Sequence, residues 1–436
     1  MCLCDYSTSR RQIEIRIVIV GYGPGGATAA LTARRFNSKA EIKIVTDETY
    51  ESHRKPGAAM ALEFPATKEL KIEEWSFETL AKNRIQIMSG TEVTGGDSKA
   101  KTLQIGSETL EYDKLILATG GIPSVPNIPG VKLPGVFTIQ TMADTSEIGK
   151  QLSTMECIIV VGAGFSGLET AERLLSLGKE VHLVVRSRLM RKQLEESMSE
   201  ELLSRLPEKL IVHTGKAPSA VLGKEKVEGL NLGDEELSAD AVLFMTGVRP
   251  NIKLAESLGV KLGNLGGIVV DDTMMTSVKD VFAVGDCVEL KDTMTNEPFL
   301  LPIASIAARA GRQAGVKAAG GSKIYDDTIR RLQYDHIFNT DIVIVGLSST
   351  SAKALGVKTD VHFWEDPTEF AKVALVTNET GQLIGGQVIS SRMGARLGYE
   401  ILDRVESGAI LKENPLLKPQ HARFREYLES TYGPIR

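Results

Sequence analysis

Residues 15–20, IRIVIV, form a short run that is β-branched but for Arg16, as expected of a buried parallel strand. GYGPGG follows, then ATAALTARRF with helical texture, then EIKIVT as a second strand. The same order returns over 157–186: CIIVV, GAGFSG, LETAERLLSLG and EVHLVV. A strand–glycine turn–helix–strand unit is thus predicted twice, far enough apart to sit in separate domains. Beyond about residue 320 the rhythm changes. DIVIVG, VHFW, FAKVALVT and GQLIGGQVI read as antiparallel strands separated by turn residues, and RMGARLGYEILDRVESGAI as a helix with apolar spacing of three and four. This end is expected to be a third, α+β domain.

The composition of the 436 residues, 42% hydrophobic and 25% charged, is that of an ordinary globular protein and disfavours disorder or a fibre. The net charge of -5 argues against a nucleic-acid or membrane-surface binder. Four cysteines, Cys2, Cys4, Cys157 and Cys287, are too few and scattered for a disulfide framework. Cys2 and Cys4 could bind a metal, but no histidine or second cysteine pair lies nearby, so a frayed N-terminus is the reading preferred. SRRQIEIRIVIVG superficially resembles a twin-arginine export signal, but its uncharged run is broken by Gly and Pro and carries a nucleotide motif. With no apolar run long enough for a membrane span, a cytoplasmic location is expected.

The chemistry starts at the glycines. Gly21, Gly23 and Gly26 stand as GxGxxG between a strand and a helix. There the first glycine allows the tight turn, the second lets backbone approach a pyrophosphate, and the third lets the helix pack on the strand. Gly162, Gly164 and Gly167 repeat the arrangement, so two dinucleotide sites are predicted. Pro24 in the first turn, and Phe165 and Ser166 in the second, count with them as cofactor-binding positions. At the end of the second strand Asp47, with Glu48 beside it, is either a ribose-hydroxyl acceptor or a solvated turn acid. The corresponding strand of the second unit ends in Val185, where a carboxylate would select NADH, followed by Arg186 and Arg188. These arginines either pair with a 2′-phosphate, favouring NADPH, or are solvated loop residues.

The paired glycine motifs, ATGG at 118–121, MTGVRPN at 245–251 and VFAVGDCVE at 281–289 resemble, in that order, the pyridine nucleotide-disulfide oxidoreductases. IFNTDIVIVGLSSTSAKALG resembles the dimerisation domain of their CoA-disulfide reductases and NADH oxidases, and RLMRKQLEESMSEEL the segment after their second NAD strand. The resemblance covers nearly the whole chain. It implies an α/β fold of two Rossmann-like dinucleotide-binding domains, for FAD and NAD(P), plus a C-terminal α+β dimerisation domain. The FAD domain would comprise 1–120 and 246–320, the NAD(P) domain 121–245 and the homodimer interface 321–436. Gly285 and Asp286 would hold the ribityl and phosphate region of FAD. Ala118, Thr119 and Gly120 would mark the crossover beside it, Val93 would meet the adenine through its backbone, and Gly247 would border the nicotinamide nucleotide. Glu169 stands where the family has a glutamate near the nicotinamide; otherwise it is a helix surface acid. The helix of 302–315 would start at the flavin, while its small residues also suit close packing.

One stretch departs from the family. CoA-disulfide reductases carry, three residues before a proline, a cysteine set against the flavin, which stores electrons as a mixed disulfide. In TYESHRKPGAAMALE, residues 49–63, the position three before Pro56 is His53, and the stretch holds no cysteine. Relatives with peroxidase chemistry place a histidine within the first glycine motif, where this chain has Pro24. His53 is read either as a proton donor beside the flavin or as a polar residue filling the place. Lys55 is a candidate contact for FAD or a substrate anion, and His421 with Glu426 is read as a surface pair. The expected activity is hydride transfer from NAD(P)H to flavin and onward to a small-molecule acceptor without a cysteine intermediate. Alternatives are an electron-transfer reductase serving a ferredoxin- or rubredoxin-like protein, and a flavoprotein that senses NAD(P)H.

Overall fold

The computed structural model describes residues 14–53, 58–63, 72–292, 297–322, 331–366 and 370–411. Lys55, His421, Glu426, Cys2 and Cys4 lie outside them. The described contacts divide the chain into two compact units, one of residues 1–188 and 207–329, the other of 189–206 and 330–436.

The first unit holds two five-stranded parallel sheets. In one the strand order is Val281–Ala283, Lys114–Leu117, Arg16–Val20, Glu41–Val45, Ile85–Met88. In the other it is Leu210–Thr214, Glu180–Val185, Cys157–Val161, Ala241–Phe244, Val136–Phe137. Ile17, Ile19, Ile158 and Ile159 are fully buried, as central parallel strands require. Strand Val281–Ala283 pairs with Lys114–Leu117 from across the intervening second sheet, so the first fold is discontinuous in sequence. Between the two lies a ribbon, Gly121–Pro123 antiparallel to Val248–Pro250.

Helix Ala304–Ala318 crosses helix Pro24–Phe36 closely. A Cβ on Gly311 would come 2.3 Å from the Gly25 carbonyl oxygen, and one on Gly315 2.4 Å from that of Ala29. The small residues of 302–315 therefore serve close packing. Two three-stranded antiparallel sheets, at 95–111 and 220–238, were not anticipated. Their strands of three or four residues are too short to display a period of two.

The second unit is built on a five-stranded antiparallel sheet, ordered Leu332–Ile337, Thr340–Gly346, Leu383–Ser390, Ala371–Asn378, Thr359–Asp366. Helix Gly394–Glu406, expected within 392–410, buries Leu397, Ile401, Leu402 and Val405 against Val343, Val345, Leu375 and Val388. The segment Leu189–Leu206, expected from the sequence within 121–245, is grouped here instead. The reason is local. The buried Glu195 carboxylate accepts hydrogen bonds from the Ser349 backbone N–H at 2.8 Å and Gln387 Nε2 at 3.1 Å, while Glu195 N–H donates to Gln387 Oε1 at 2.7 Å. Among the described residues no helix is long and apolar enough to cross a membrane.

Candidate functional site

The two glycine turns repeat each other contact for contact. Gly21 N–H donates to Val45 O at 2.8 Å and Ala118 N–H to Val20 O at 2.8 Å; Gly162 N–H donates to Val184 O at 2.9 Å and Met245 N–H to Val161 O at 2.8 Å. Gly21 and Gly162 have φ of 108° and 111°, where side chains are strained. A Cβ on either would also strike a carbonyl oxygen, Ala118 O at 2.1 Å or Met245 O at 2.4 Å. The third glycines, Gly26 and Gly167, press on the first: their Cβ atoms would lie 2.2 and 2.0 Å from Gly21 O and Gly162 O. At the second glycines, Gly23 and Gly164, a Cβ would meet nothing within 4 Å.

Each turn thus keeps an open space before free helix N–H groups, in helices Pro24–Phe36 and Phe165–Ser176, a geometry that fits a dinucleotide pyrophosphate. Pro24 takes the first helical position, where a missing N–H costs nothing. Phe165 and Ser166 take the corresponding start of the second helix.

The flanking positions gather at the carboxyl ends of the strands. Asp47 is exposed just past the Glu41–Val45 strand, and Thr91 N–H bonds Thr46 O at 2.7 Å, which brings the half-buried Val93 segment alongside. Arg186 is exposed immediately after Val185, which is buried at the strand end, and Arg188 is half-buried. ATGG and MTGVRPN meet directly. Thr119 Oγ1 donates to Asn251 O at 2.6 Å, Asn251 N–H to Gly120 O at 2.9 Å and Ser124 N–H to Gly247 O at 2.8 Å. Gly120 and Gly247 both have positive φ and open space where a Cβ would stand. Gly285 and Asp286 follow strand Val281–Ala283, with Gly285 beside Ala307 of the crossing helix.

His53 is buried, 4% exposed, with its Nδ1 3.1 Å from Glu51 O. Its segment is tied down by Glu51 Oε1, which accepts from Phe77 N–H at 2.9 Å. Tyr22, inside the first glycine motif, stacks on Phe77 with ring centroids 5.5 Å apart and donates to Trp75 O. Burial drives the Tyr22 phenol pKa upward, so it stays a neutral donor. Next along, Ala58 O accepts from Thr145 Oγ1 at 3.1 Å, and Glu63 pairs with Arg173 at 3.1 Å. The half-buried Glu169 precedes Arg173 by one helical turn on the same face, which puts it at the junction of the two nucleotide folds. Tyr22–Phe77 and Glu63–Arg173 were not singled out in the sequence. Pairs so distant in the chain leave no local signal.

Neither described cysteine stands in the His53 segment. Cys287 is fully buried, its Sγ 3.3 Å from Val284 O, and burial raises its thiol pKa. Cys157 opens its strand, at the end away from the glycine turn, and burial with Glu180 and Asp240 nearby pushes its thiol up to about 11.

Residues 15–314 match the family described as pyridine nucleotide-disulphide oxidoreductase. Among curated proteins the chain is similar to the NAD(P)H sulfur oxidoreductase (CoA-dependent) of Pyrococcus furiosus, 30% identical over 411 residues, 91% of this chain and 91% of that one. It is also similar to an NADH oxidase of Methanocaldococcus jannaschii, 30% identical over 440 residues, covering 96% of this chain and 95% of the other. Among solved structures, the NAD-dependent persulfide reductase from A. fulgidus superposes with a TM-score of 0.86 at 25% identity, covering 96% of this chain and 84% of that one.

Proposed function

Because the chain belongs to the pyridine nucleotide-disulphide oxidoreductase family, we propose that it carries electrons from NAD(P)H to a small-molecule acceptor with no cysteine of its own in the path. It is an FAD-dependent NAD(P)H oxidoreductase, with FAD and NAD(P)H as cofactors. When bound, the nicotinamide supplies a hydride and the flavin accepts and passes on two electrons. The chain's own residues orient and insulate. In this reading Gly21, Gly23, Pro24 and Gly26 cradle the FAD pyrophosphate, with Asp47 on the ribose and Val93 beside the adenine. Ala118, Thr119, Gly120, Gly285 and Asp286 line the rest of that site. Gly162, Gly164, Phe165, Ser166 and Gly167 do the same for the coenzyme, with Glu169 and Gly247 bordering the nicotinamide and Arg186 and Arg188 on a 2′-phosphate. Lys55 belongs to the loop that would meet FAD or a substrate anion. His53, at the position where the resemblance to CoA-disulfide reductases implies a cysteine, is the candidate proton donor beside the flavin. The C-terminal unit is the homodimer surface.

The observation that supports this reading is that His53, three residues before Pro56, is buried, with both described cysteines elsewhere in the fold. Anaerobic dithionite titration of the FAD-loaded protein should stop at two electrons per flavin, with no long-wavelength thiolate charge-transfer band. His53→Cys should introduce that band. Four-electron uptake abolished by Cys287→Ser or Cys157→Ser would overturn the reading. In the same preparation kcat/KM for NADPH should at least equal that for NADH. A tenfold advantage for NADH, about 1.4 kcal/mol, would take the arginines out of that role. An acceptor panel of oxygen, quinone, polysulfide and disulfide then identifies the oxidant.

A further inference from the structure

On the coenzyme fold, five side chains with lone pairs stand in a row that begins at the strand ends away from the glycine turn. The parallel register sets Cys157 directly opposite Glu180. His182, two residues on, projects to the same face. Glu180 Oε1 lies 3.9 Å from Cys157 Sγ and 3.0 Å from His182 Nε2. The three ligand atoms all fall within 4.8 Å of one another. Behind them His213, from the next strand, stacks on His182 with ring centroids 5.2 Å apart, its Nε2 2.9 Å from His182 Nδ1. His213 Nδ1 lies 3.8 Å from a Glu235 carboxylate oxygen.

We propose that Cys157, Glu180 and His182 bind a divalent transition-metal ion, zinc by preference, with His213 and Glu235 orienting the His182 ring from behind. A tetrahedral ion with bonds of about 2.0–2.3 Å needs ligand-to-ligand edges of roughly 3.3–3.8 Å, so these atoms require shifts of about an ångström or less. One soft thiolate, one borderline imidazole and one hard carboxylate form a mixed set that suits zinc, while the sulfur and nitrogen disfavour magnesium or calcium. A water completes the fourth position. The hydrogen-bond polarity also closes. With Nε2 on the metal, His182 Nδ1–H donates to His213 Nε2, and His213 Nδ1–H turns to Glu235, the outer arrangement that fixes a metal-bound imidazole. Coordination replaces the Sγ–H bond with an Sγ–metal bond and releases the proton to solvent. Nothing in nucleotide binding requires this row, whose ligand end, Cys157 opposite Glu180, sits at the strand ends away from Gly162. Its role is to clamp the starts of two adjacent strands to each other and, through His213, to the far end of a third.

The test uses the full-length, FAD-loaded protein, stripped with a chelator, in a Cys2→Ser/Cys4→Ser background that removes the other thiol pair. Co2+ should bind at one equivalent per chain and produce a near-ultraviolet thiolate-to-metal band, and Zn2+ should displace it. Zn2+ should also raise Tm in that background. Cys157→Ser should abolish the band and the Tm shift. His182→Ala should weaken binding more than tenfold, and His213→Ala by about 10- to 100-fold, as for other groups behind a ligand. Glu180→Gln, at an exposed position, leaves the fold intact and should also weaken binding. Substoichiometric binding, or a band and affinity unchanged in Cys157→Ser or Glu180→Gln, would overturn the proposal.

Discussion

At Gly23 and Gly26 the same added methyl group meets opposite surroundings. On Gly26 it would sit 2.2 Å from Gly21 O, a backbone atom that cannot step aside, whereas on Gly23 it meets no protein atom within 4 Å. Gly26→Ala should therefore destabilise the flavin-free protein by about 1–3 kcal/mol, read as a lowered Tm. Gly23→Ala should leave that Tm unchanged and weaken FAD retention, read by flavin fluorescence; a matching Tm loss would show that protein contacts, not ligand, constrain residue 23. A second residue controls acid stability. Asp280 is buried, which by itself raises its pKa, but hydrogen bonds from Lys101 at 2.6 Å and from Lys114 bring the net value below the ordinary one. A carboxyl depressed in the fold adds stability above its unfolded pKa, near 4, and loses it as pH falls through the lower folded value. Asp280→Asn should cost about 1–3 kcal/mol near neutral pH, with the gap to the parent closing below about pH 4 in denaturant titrations. A gap that stayed constant with pH would assign the loss to something other than charge.

Among the elements, legibility followed length and locality. The five-residue runs RIVIV and CIIVV with their glycine turns were readable because burial on both faces forces β-branched residues there and a left-handed φ forces glycine. The antiparallel C-terminal strands were readable for a similar reason, since turn residues separate them. Leu189–Leu206 was not. Its helix Glu196–Ser204 has an ordinary apolar side, but nothing in 189–206 announces that the partner is Gln387, almost two hundred residues away. In the site, the glycine turns were legible as residue types, while the hold that Tyr22, Phe77 and Glu63 keep on the surroundings of His53 exists only in three dimensions. The Glu195 cluster carries a testable consequence. Glu195→Ala strands the Ser349 N–H and the Gln387 amide inside the second unit and should cost about 1–3 kcal/mol. The expected readout is faster amide exchange in 189–206 with the flavin spectrum unaltered; unchanged exchange there would show that apolar packing alone holds the segment.

For the molecule as a whole, the second unit carries large apolar side chains in water: Tyr334, Phe363, Phe370 and Tyr399 are 48, 48, 60 and 57% exposed. Tyr334 and Phe363 lie on the two edge strands of its sheet, and exposed apolar side chains of this kind are what the proposed homodimer would cover. Sedimentation should report a pair of 47.2 kDa chains, and Phe363→Glu should shift it toward the single chain; a monomeric parent would remove the dimer from the reading. The ribbon of Gly121–Pro123 and Val248–Pro250 has a consequence of another kind, in time rather than space. A chain leaving the ribosome presents its residues in order. Strands Cys157–Val161, Glu180–Val185 and Ala241–Phe244 are all synthesised before Val281–Ala283 completes the outer sheet and Ala304–Ala318 reaches its partner helix. The inner fold can therefore close while the outer one still waits for its last strand, so the sheet around Cys157–Val161 should take shape during synthesis before the sheet around Arg16–Val20.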